Sequence, residues 1–211
     1  MPRLTDQQQG ERRSQILQAA CRCFTRDGFH RTSMQTICRE AGISPGGLYL
    51  YFESKEALIA AMIEADRAEL AAAFSAAAAA DDVLAAMTAV GRRYFVEEPR
   101  ERAMLTLQIW AESARDPAIC ALCDGIEREV HANLLLLCRT MQEQGQAAPD
   151  IDIEALVDLL MLISDGIFKN RALDEGFDGE QAMAGLLAVF RAGLAGQIAP
   201  PAPSRRLEQP A

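Results

Sequence analysis

Apolar residues in this chain recur at spacings of three and four, and almost nowhere do they alternate. Ile16, Ala20 and Phe24 share one such stripe near the start, and Met183, Leu186, Leu187, Phe190 and Leu194 share another near the end. That period is the period of an α-helix, whereas a half-buried strand needs a period of two. No stretch alternates apolar and polar residues with the Val, Ile and Thr richness of a strand, and alanine, the strongest helix former, is abundant. The fold class expected is all-α. The longest apolar runs without alanine are Leu134–Cys138 and Leu159–Ile163. Both fall far short of the ~20 residues of a membrane span.

Capping and breaking residues divide this helical material into about nine pieces. The first runs from about Arg12 to Arg26 and stops at Asp27-Gly28. A short helix follows over Ser33–Ala41, with Thr32-x-x-Gln35 at the spacing of a capping box. Gly42 ends it, and Ser44-Pro45 opens a third that closes near Phe52. Ser54 caps a fourth, alanine-rich helix reaching about Ala79. Further helices are expected from Asp81-Asp82 to Glu97, Pro99 to Arg115, Pro117 to Gly145, Asp150 or Asp152 to Leu173, and past Gly179 to about Gln197. The tail over Ala199–Ala211 holds four prolines and is expected to be disordered. The domain boundaries drawn are 1–55, 56–198 and the tail 199–211. The first boundary falls inside a continuous helix, so the two parts should be rigidly coupled.

Charge divides the chain at nearly the same place. The 211 residues carry 21 basic and 30 acidic side chains, a formal net charge of -9. Residues 1–60 hold 8 basic and 6 acidic residues, net +2, which leaves 13 against 24 for the remainder. A mildly basic head therefore sits on a strongly acidic body. Taken whole, the acidity argues against a surface coated for nucleic acid; taken by halves, it confines any such surface to the head. The opening residues Met1-Pro2-Arg3-Leu4-Thr5-Asp6-Gln7 contain no apolar core of a secretory signal, so a cytoplasmic location is expected. Six cysteines are then expected as free thiols. They form no C-x-x-C…C-x-x-C or C-x-x-C…H-x-x-x-H pattern, and neither a metal nor a cofactor is expected.

The most informative stretch is Thr32–Lys55. Two short helices joined by Ala41-Gly42-Ile43-Ser44 have the layout of a helix-turn-helix, whose second helix lies in the major groove of DNA. Ile37, Ile43, Leu48 and Phe52 are spaced to lock the two together. Gly46 and Gly47 are out of place in a helix unless something must approach the backbone closely. Leu48, Tyr49, Leu50, Tyr51 and Phe52 span more than a full turn, so they cannot all face the core. Some of them must point outward. Lys55 opens the next helix, where backbone N–H groups also attract phosphate.

The ordered set Gly28-Phe29-x-x-Thr32-Ser33, Ile37-x-x-x-Ala41-Gly42-Ile43-Ser44 and Gly47-Leu48-Tyr49-x-Tyr51-Phe52-x-x-Lys55-Glu56-x-Leu58 resembles the DNA-binding domain of TetR-type transcriptional regulators. The resemblance covers roughly residues 12 to 60. Trp110-Ala111-Glu112-x-Ala114-Arg115-Asp116-Pro117 is similar, more loosely, to the body of the BetI-like branch. The resemblance implies that Thr32, Ser33 and Gln35 touch phosphate or base edges, and that Ser44, Gly46, Gly47, Tyr49, Leu50 and Tyr51 form the recognition helix. Tyr49, Tyr51 and Lys55 match phosphate clamps; Gln35 and Gly47 match base readers. Two positions depart from the family pattern: Cys38 replaces the usual alanine, and Leu50 stands where a polar or aromatic residue is commoner. A contact from Leu50 to a thymine methyl would suit its chemistry.

For the body the resemblance implies an effector pocket and a dimer interface. The pocket residues expected are Met87, Tyr94, Met104, Leu107, Gln108, Trp110, Glu112, Met141, Asp165 and Phe168. Ile153, Leu156, Leu160, Ile163 and Ile167 form one stripe, flanked by a second, and so wide an apolar arc calls for burial on two sides. With Met183, Leu187, Phe190 and Leu194 these residues are expected at a homodimer interface. A dimer also has a physical reason, since one short recognition helix reads few base pairs and two copies read a palindromic double-stranded operator. Asp165, set among apolar neighbours, needs a partner such as Lys169 or Arg171, a ligand contact, or a shifted pKa.

The function expected is a homodimeric, DNA-binding repressor released by a small-molecule effector of unknown identity, without enzymatic activity. The alternative on the same frame is a thiol-redox switch using Cys120 and Cys123, which lie three apart on one helical face. No basic residue stands beside them to favour a thiolate. An enzyme would need a Glu-x-x-His pair, a nucleophile set or a phosphate loop, and the sequence shows none. With a head of only +2, affinity must come from two heads acting together, and non-specific binding at ordinary salt should be weak.

Overall fold

The computed structural model describes residues 5–198. Among these residues every regular element is helical: α1 (Asp6–Asp27), α2 (Met34–Ala41), α3 (Pro45–Tyr49), α4 (Lys55–Ala78), α5 (Val83–Arg92), a π-helical turn (Arg93–Glu97), α6 (Arg100–Ser113), α7 (Pro117–Glu143), α8 (Ile153–Leu173) and α9 (Gly179–Leu194). The all-α expectation holds, with the expected helix order. The disordered tail expected at 199–211 lies outside the described residues. No described helix is long and apolar enough to cross a membrane.

Helix starts follow side-chain chemistry. Ser44, Ser54, Asp82, Asp152 and Asp178 each accept a backbone N–H with their own side-chain oxygen. Such a cap stabilises a helix by roughly 0.5–2 kcal/mol. Two starts differ from expectation. The first helix begins six residues early, because Thr5 and Gln8 form a reciprocal capping box. In α2 the cap is Ser33, which accepts from Thr36, and Thr32 turns inward to donate to the Cys23 and Gly28 carbonyls. The helix-turn-helix turn is closed by Gly42, in the left-handed region at φ 65°, with its N–H on the last carbonyls of α2.

Two cores stabilise the chain. The head core gathers Phe24, Ile37, Leu48 and Phe52 from α1–α3 and the following loop, as the spacing predicts, with Ile43 packed at its edge. It extends beyond residue 55, taking in Leu58–Ile63 of α4, Leu105 and Ile109 of α6, and Ile119 of α7. The body core is built by α4, α5, the π turn and α7–α9. Here Ile153, Leu156, Leu160, Ile167, Met183, Phe190 and Leu194 are all buried inside the single chain, and Ile163 and Leu187 are half-buried. The wide stripe is thus covered by neighbours in the same chain. α8 packs against α6, α7 and α9, and a Cβ at Gly193 of α9 would overlap Leu156.

The π turn is held from outside. Arg171 donates to the carbonyls of Tyr94 and Glu98, and Arg100 donates back to the carbonyls of Arg171 and Ala172. Gly179 presses against the same turn, where a Cβ would come within 2.7 Å of the Phe95 carbonyl. Arg171 is therefore engaged with the backbone and is not the partner of Asp165.

Candidate nucleic-acid interface and ligand cavity

The head presents one short helix outward. Leu48, fully buried, anchors α3, and Ser44 caps it. The neighbouring side chains then have no room inside: Tyr49 is 55% exposed and Leu50 85% exposed. Ser33, Gln35, Ser44 and Gly46 are exposed around them, while Gly47 and Tyr51 are half-buried. A Cβ at Gly46 would meet no atom of this chain within 4 Å. Its glycine therefore has no internal packing reason.

Two of the expected contact residues are used inside the chain. Thr32 is buried, and its hydroxyl ties α2 to the end of α1. That oxygen cannot face a phosphate while those bonds stand. Lys55 Nζ donates to the Phe29 carbonyl at 2.8 Å and lies 4.3 Å from the Phe29 ring centre. An ammonium has three donors, so this strut leaves two. Much of the head's positive charge is also matched internally: Arg22 and Arg26 both bond Glu40, and Arg26 bonds Asp27. Arg39, which motif spacing did not single out, is exposed and has no ion-pair partner among the described residues.

A seam joins head to body, and sequence reading placed its members in the pocket. Gln108 of α6 spans two backbone groups of the head: Nε2 donates to the Phe24 carbonyl at 2.9 Å, and Oε1 accepts the Phe29 N–H at 3.1 Å. Both ends of the amide are satisfied at the exit of α1. Glu112, one turn on, is buried and lies 2.9 Å from His30 Nε2 and 3.5 Å from Arg115. These two residues are seam residues, because α6 turns that face toward the α1–α2 loop. Met141 packs in the body core, and Met104 and Leu107 are half-buried away from the cavity lining.

The body holds a cavity of about 290 Å³ lined by residues from α4 through α9, close to the lower end of the roughly 300–1,000 Å³ of small-molecule sites. Met87, Tyr94, Trp110, Asp165 and Phe168 line it, as expected. Leu160, Met183, Leu187 and Phe190, expected at a dimer interface, also line it. Phe168 sits edge-on to both Phe95, at 5.3 Å, and Trp110, at 6.3 Å. One half-buried group of ions enters the wall: Arg102 donates to Asp66 at 2.6 Å and to Glu98 at 3.0 Å. Burial pushes the Asp66 carboxyl up, and Arg102 opposes that rise. Burial opposes the Arg102 charge in turn, and the two carboxylates more than offset it.

The cysteine pair gives a thiol switch no support. Burial, followed by the charge of Glu127, pushes the Cys123 thiol up, which disfavours its thiolate. Among the described residues no group of His, Cys, Asp and Glu could hold a metal ion.

Similarity to known proteins follows the same division. Residues 16–62 match the family described as bacterial regulatory proteins, tetR family, and residues 84–199 match the BetI-type transcriptional repressor C-terminal family. The chain is 32% identical over 159 residues to the HTH-type transcriptional regulator UidR of Escherichia coli strain K12, covering 74% of this chain and 79% of that protein. The solved structure of Salmonella enterica GusR superposes with a TM-score of 0.74 at 28% identity, covering 92% of this chain and 99% of that one. FadR from Bacillus subtilis, solved in complex with stearoyl-CoA, shares the fold with a TM-score of 0.72 at 16% identity, over 85% of this chain and 98% of that one. An outward helix on a tight turn, a helical body behind it, and relatives that agree along both halves lead to one conclusion: this chain belongs to the TetR family of DNA-binding transcriptional regulators.

Proposed function

We propose that the protein is a homodimeric repressor that grips a palindromic double-stranded operator and releases it when a small molecule occupies the body cavity. The observation that carries the reading is the pairing of an outward α3, with Leu50 85% exposed, and an apolar cavity joined to it through one helix, α6. Residues 1–55 act as the reading head and 56–198 as the effector and dimer body. Tyr49, Tyr51 and the two remaining donors of Lys55 clamp phosphates, with Arg39 added to them. Gln35 and Gly47 read base edges, Leu50 meets a thymine methyl, and Ser33, Ser44 and Gly46 let the backbone approach. Thr32 holds α2 in place for this contact. The second copy packs on the outer faces of α8 and α9, where Leu162 is 70% exposed.

Release follows from linkage. Thr106, Ile109 and Trp110 of α6 line the cavity, and Gln108 and Glu112 of the same helix hold the head. A ligand that shifts α6 prefers a geometry in which two recognition helices no longer match grooves ~34 Å apart. A liganded relative, the stearoyl-CoA complex of FadR, supports a small molecule as the trigger on this fold. The test is selection of bound fragments from genomic DNA, followed by a salt-dependent mobility shift and sedimentation of the complex. A two-fold symmetric site bound by two copies is expected. Absence of any shifted fragment, or one copy bound per site, overturns the reading.

A further inference from the structure

Lys55 opens α4, and its ammonium has no ion-pair partner among the described residues. It is held instead by one residue of the loop between α1 and α2. Nζ donates to the Phe29 carbonyl at 2.8 Å and lies 4.3 Å from the centre of the Phe29 ring. A lysine carries its charge on a long flexible stem, so an untethered ammonium sweeps a wide volume. Held by an oxygen and a ring face together, this one keeps a single position, with two of its three donors free.

The body holds that same residue from its other side. The Phe29 N–H donates to Gln108 Oε1 at 3.1 Å, and Gln108 Nε2 donates to the Phe24 carbonyl at 2.9 Å. Gly28, at φ 83°, makes the turn between the two backbone groups. The Phe29 ring is buried against Phe24, with centroids 5.4 Å apart. Phe29 is therefore placed by α1 through its ring and by α6 through its N–H, and it passes that placement to α4 through its carbonyl. Only an amide can donate and accept at once in this seat; a carboxylate lacks the donor and a thioether lacks a strong form of either. Ile109 and Trp110, the next two residues of α6, line the cavity.

We infer that Gln108 and Phe29 are positioning residues for the phosphate contact of Lys55: the amide on α6 sets the Phe29 peptide, and Phe29 sets the ammonium. The inference rests on the proposed role of Lys55 as a phosphate clamp. A side chain already held in place loses less freedom when it meets its partner, so the strut strengthens the contact. Any displacement of α6 that breaks the Gln108 bonds frees the loop and the ammonium together. Each head is then weakened by itself, without a change in the spacing between two heads.

The test uses the full chain, whose two lysines are Lys55 and the exposed Lys169. Protein made with carbon-13-labelled lysine gives two Cε signals by NMR, assigned with Lys169→Arg. The Phe29 ring should displace the Lys55 signal from that of the exposed lysine, and Phe29→Leu should remove the displacement. Gln108→Met, close in volume but without the amide, should move the Lys55 signal toward that of Lys169. Leu137→Ala, a destabilising change in the body core, should leave it in place. A double-mutant cycle on a duplex selected from genomic DNA reads the consequence. Gln108→Met should weaken binding by about threefold or more, Lys55→Met should weaken it further, and the double variant should lose no more than Lys55→Met alone. Phe29→Leu, which leaves the Gln108 bonds to backbone intact, should likewise weaken binding only where Lys55 is present. A Lys55 signal unmoved by Gln108→Met, tighter DNA binding by that variant, or losses that multiply in the double variant overturn the inference while the DNA-binding reading stands. A wild-type chain that binds no duplex removes that reading, and the inference falls with it.

Discussion

Head and body are built from the same material, apolar stripes on helices, and use it to opposite ends. In the head, Phe24, Ile37, Leu48 and Leu58 are fully buried and converge on one small core. The result is a rigid mount that pushes Tyr49 and Leu50 outward. In the body, Leu160, Met183 and Phe190 are nearly as well buried, yet they border a cavity of about 290 Å³. Close packing suits a surface that must keep its shape against DNA. Incomplete packing suits a region that must respond to what fills it, because empty space gives helices somewhere to move. Burial of individual side chains does not distinguish the two regions; the space between them does.

The largest effect should come from truncating the same side chain on each side of this comparison. Phe24→Ala opens a hole in a filled core and should cost about 3–5 kcal/mol. Phe190→Ala enlarges a space that already exists and should cost less. Denaturant melts of the two variants measure the difference, and an equal loss would mean that the body is packed as tightly as the head. Next comes the seam. Gln108→Ala leaves the Phe29 N–H and Phe24 carbonyl without their partner, a loss of about 1–3 kcal/mol. It should also weaken the effect of a cavity ligand on operator binding, seen as a smaller ligand-induced change in a mobility shift. Unchanged ligand response would remove Gln108 from the route between the two regions.

Smaller effects separate reading from holding within the head. Tyr49→Ala should weaken binding to every DNA sequence by about 1 kcal/mol and flatten the salt dependence by about one charge, leaving the melting temperature nearly unchanged. Gln35→Ala should relax preference at one base pair. Thr32→Val should do the reverse of both: a stability loss of about 1 kcal/mol from its bonds to the Cys23 and Gly28 carbonyls, with base preference retained. A Thr32→Val variant with wild-type stability and altered base preference would restore Thr32 to the contact surface.

The legible part of this molecule was local. Helix order, the turn at Gly42, the cap at Ser44 and the burial of Ile37, Leu48 and Phe52 follow from residues within a few positions of one another. Polar partners across long separations were not legible. Gln108 reads as a pocket residue because it sits among apolar neighbours on a helix, but its partners are backbone groups 79 and 84 residues away. Thr32-x-x-Gln35 has capping-box spacing, but Ser33 competes for the same N-cap and holds it. Which side of α8 faces the chain and which faces out was equally hidden, since a stripe states that a face is buried without naming what covers it.

By itself, then, the sequence determined a chain of capped helices, a short helix with outward side chains, a charge division near residue 60 and membership of one regulator family. Each rests on period, capping chemistry or motif spacing, which are properties of neighbours. Only the tertiary structure decided that the wide stripe of α8 and α9 lies inside one chain, that Gln108 and Glu112 bind the head, and that Arg171 holds the π turn. Those outcomes depend on how helices far apart in the chain pack together, and packing chooses among partners that local spacing leaves equivalent.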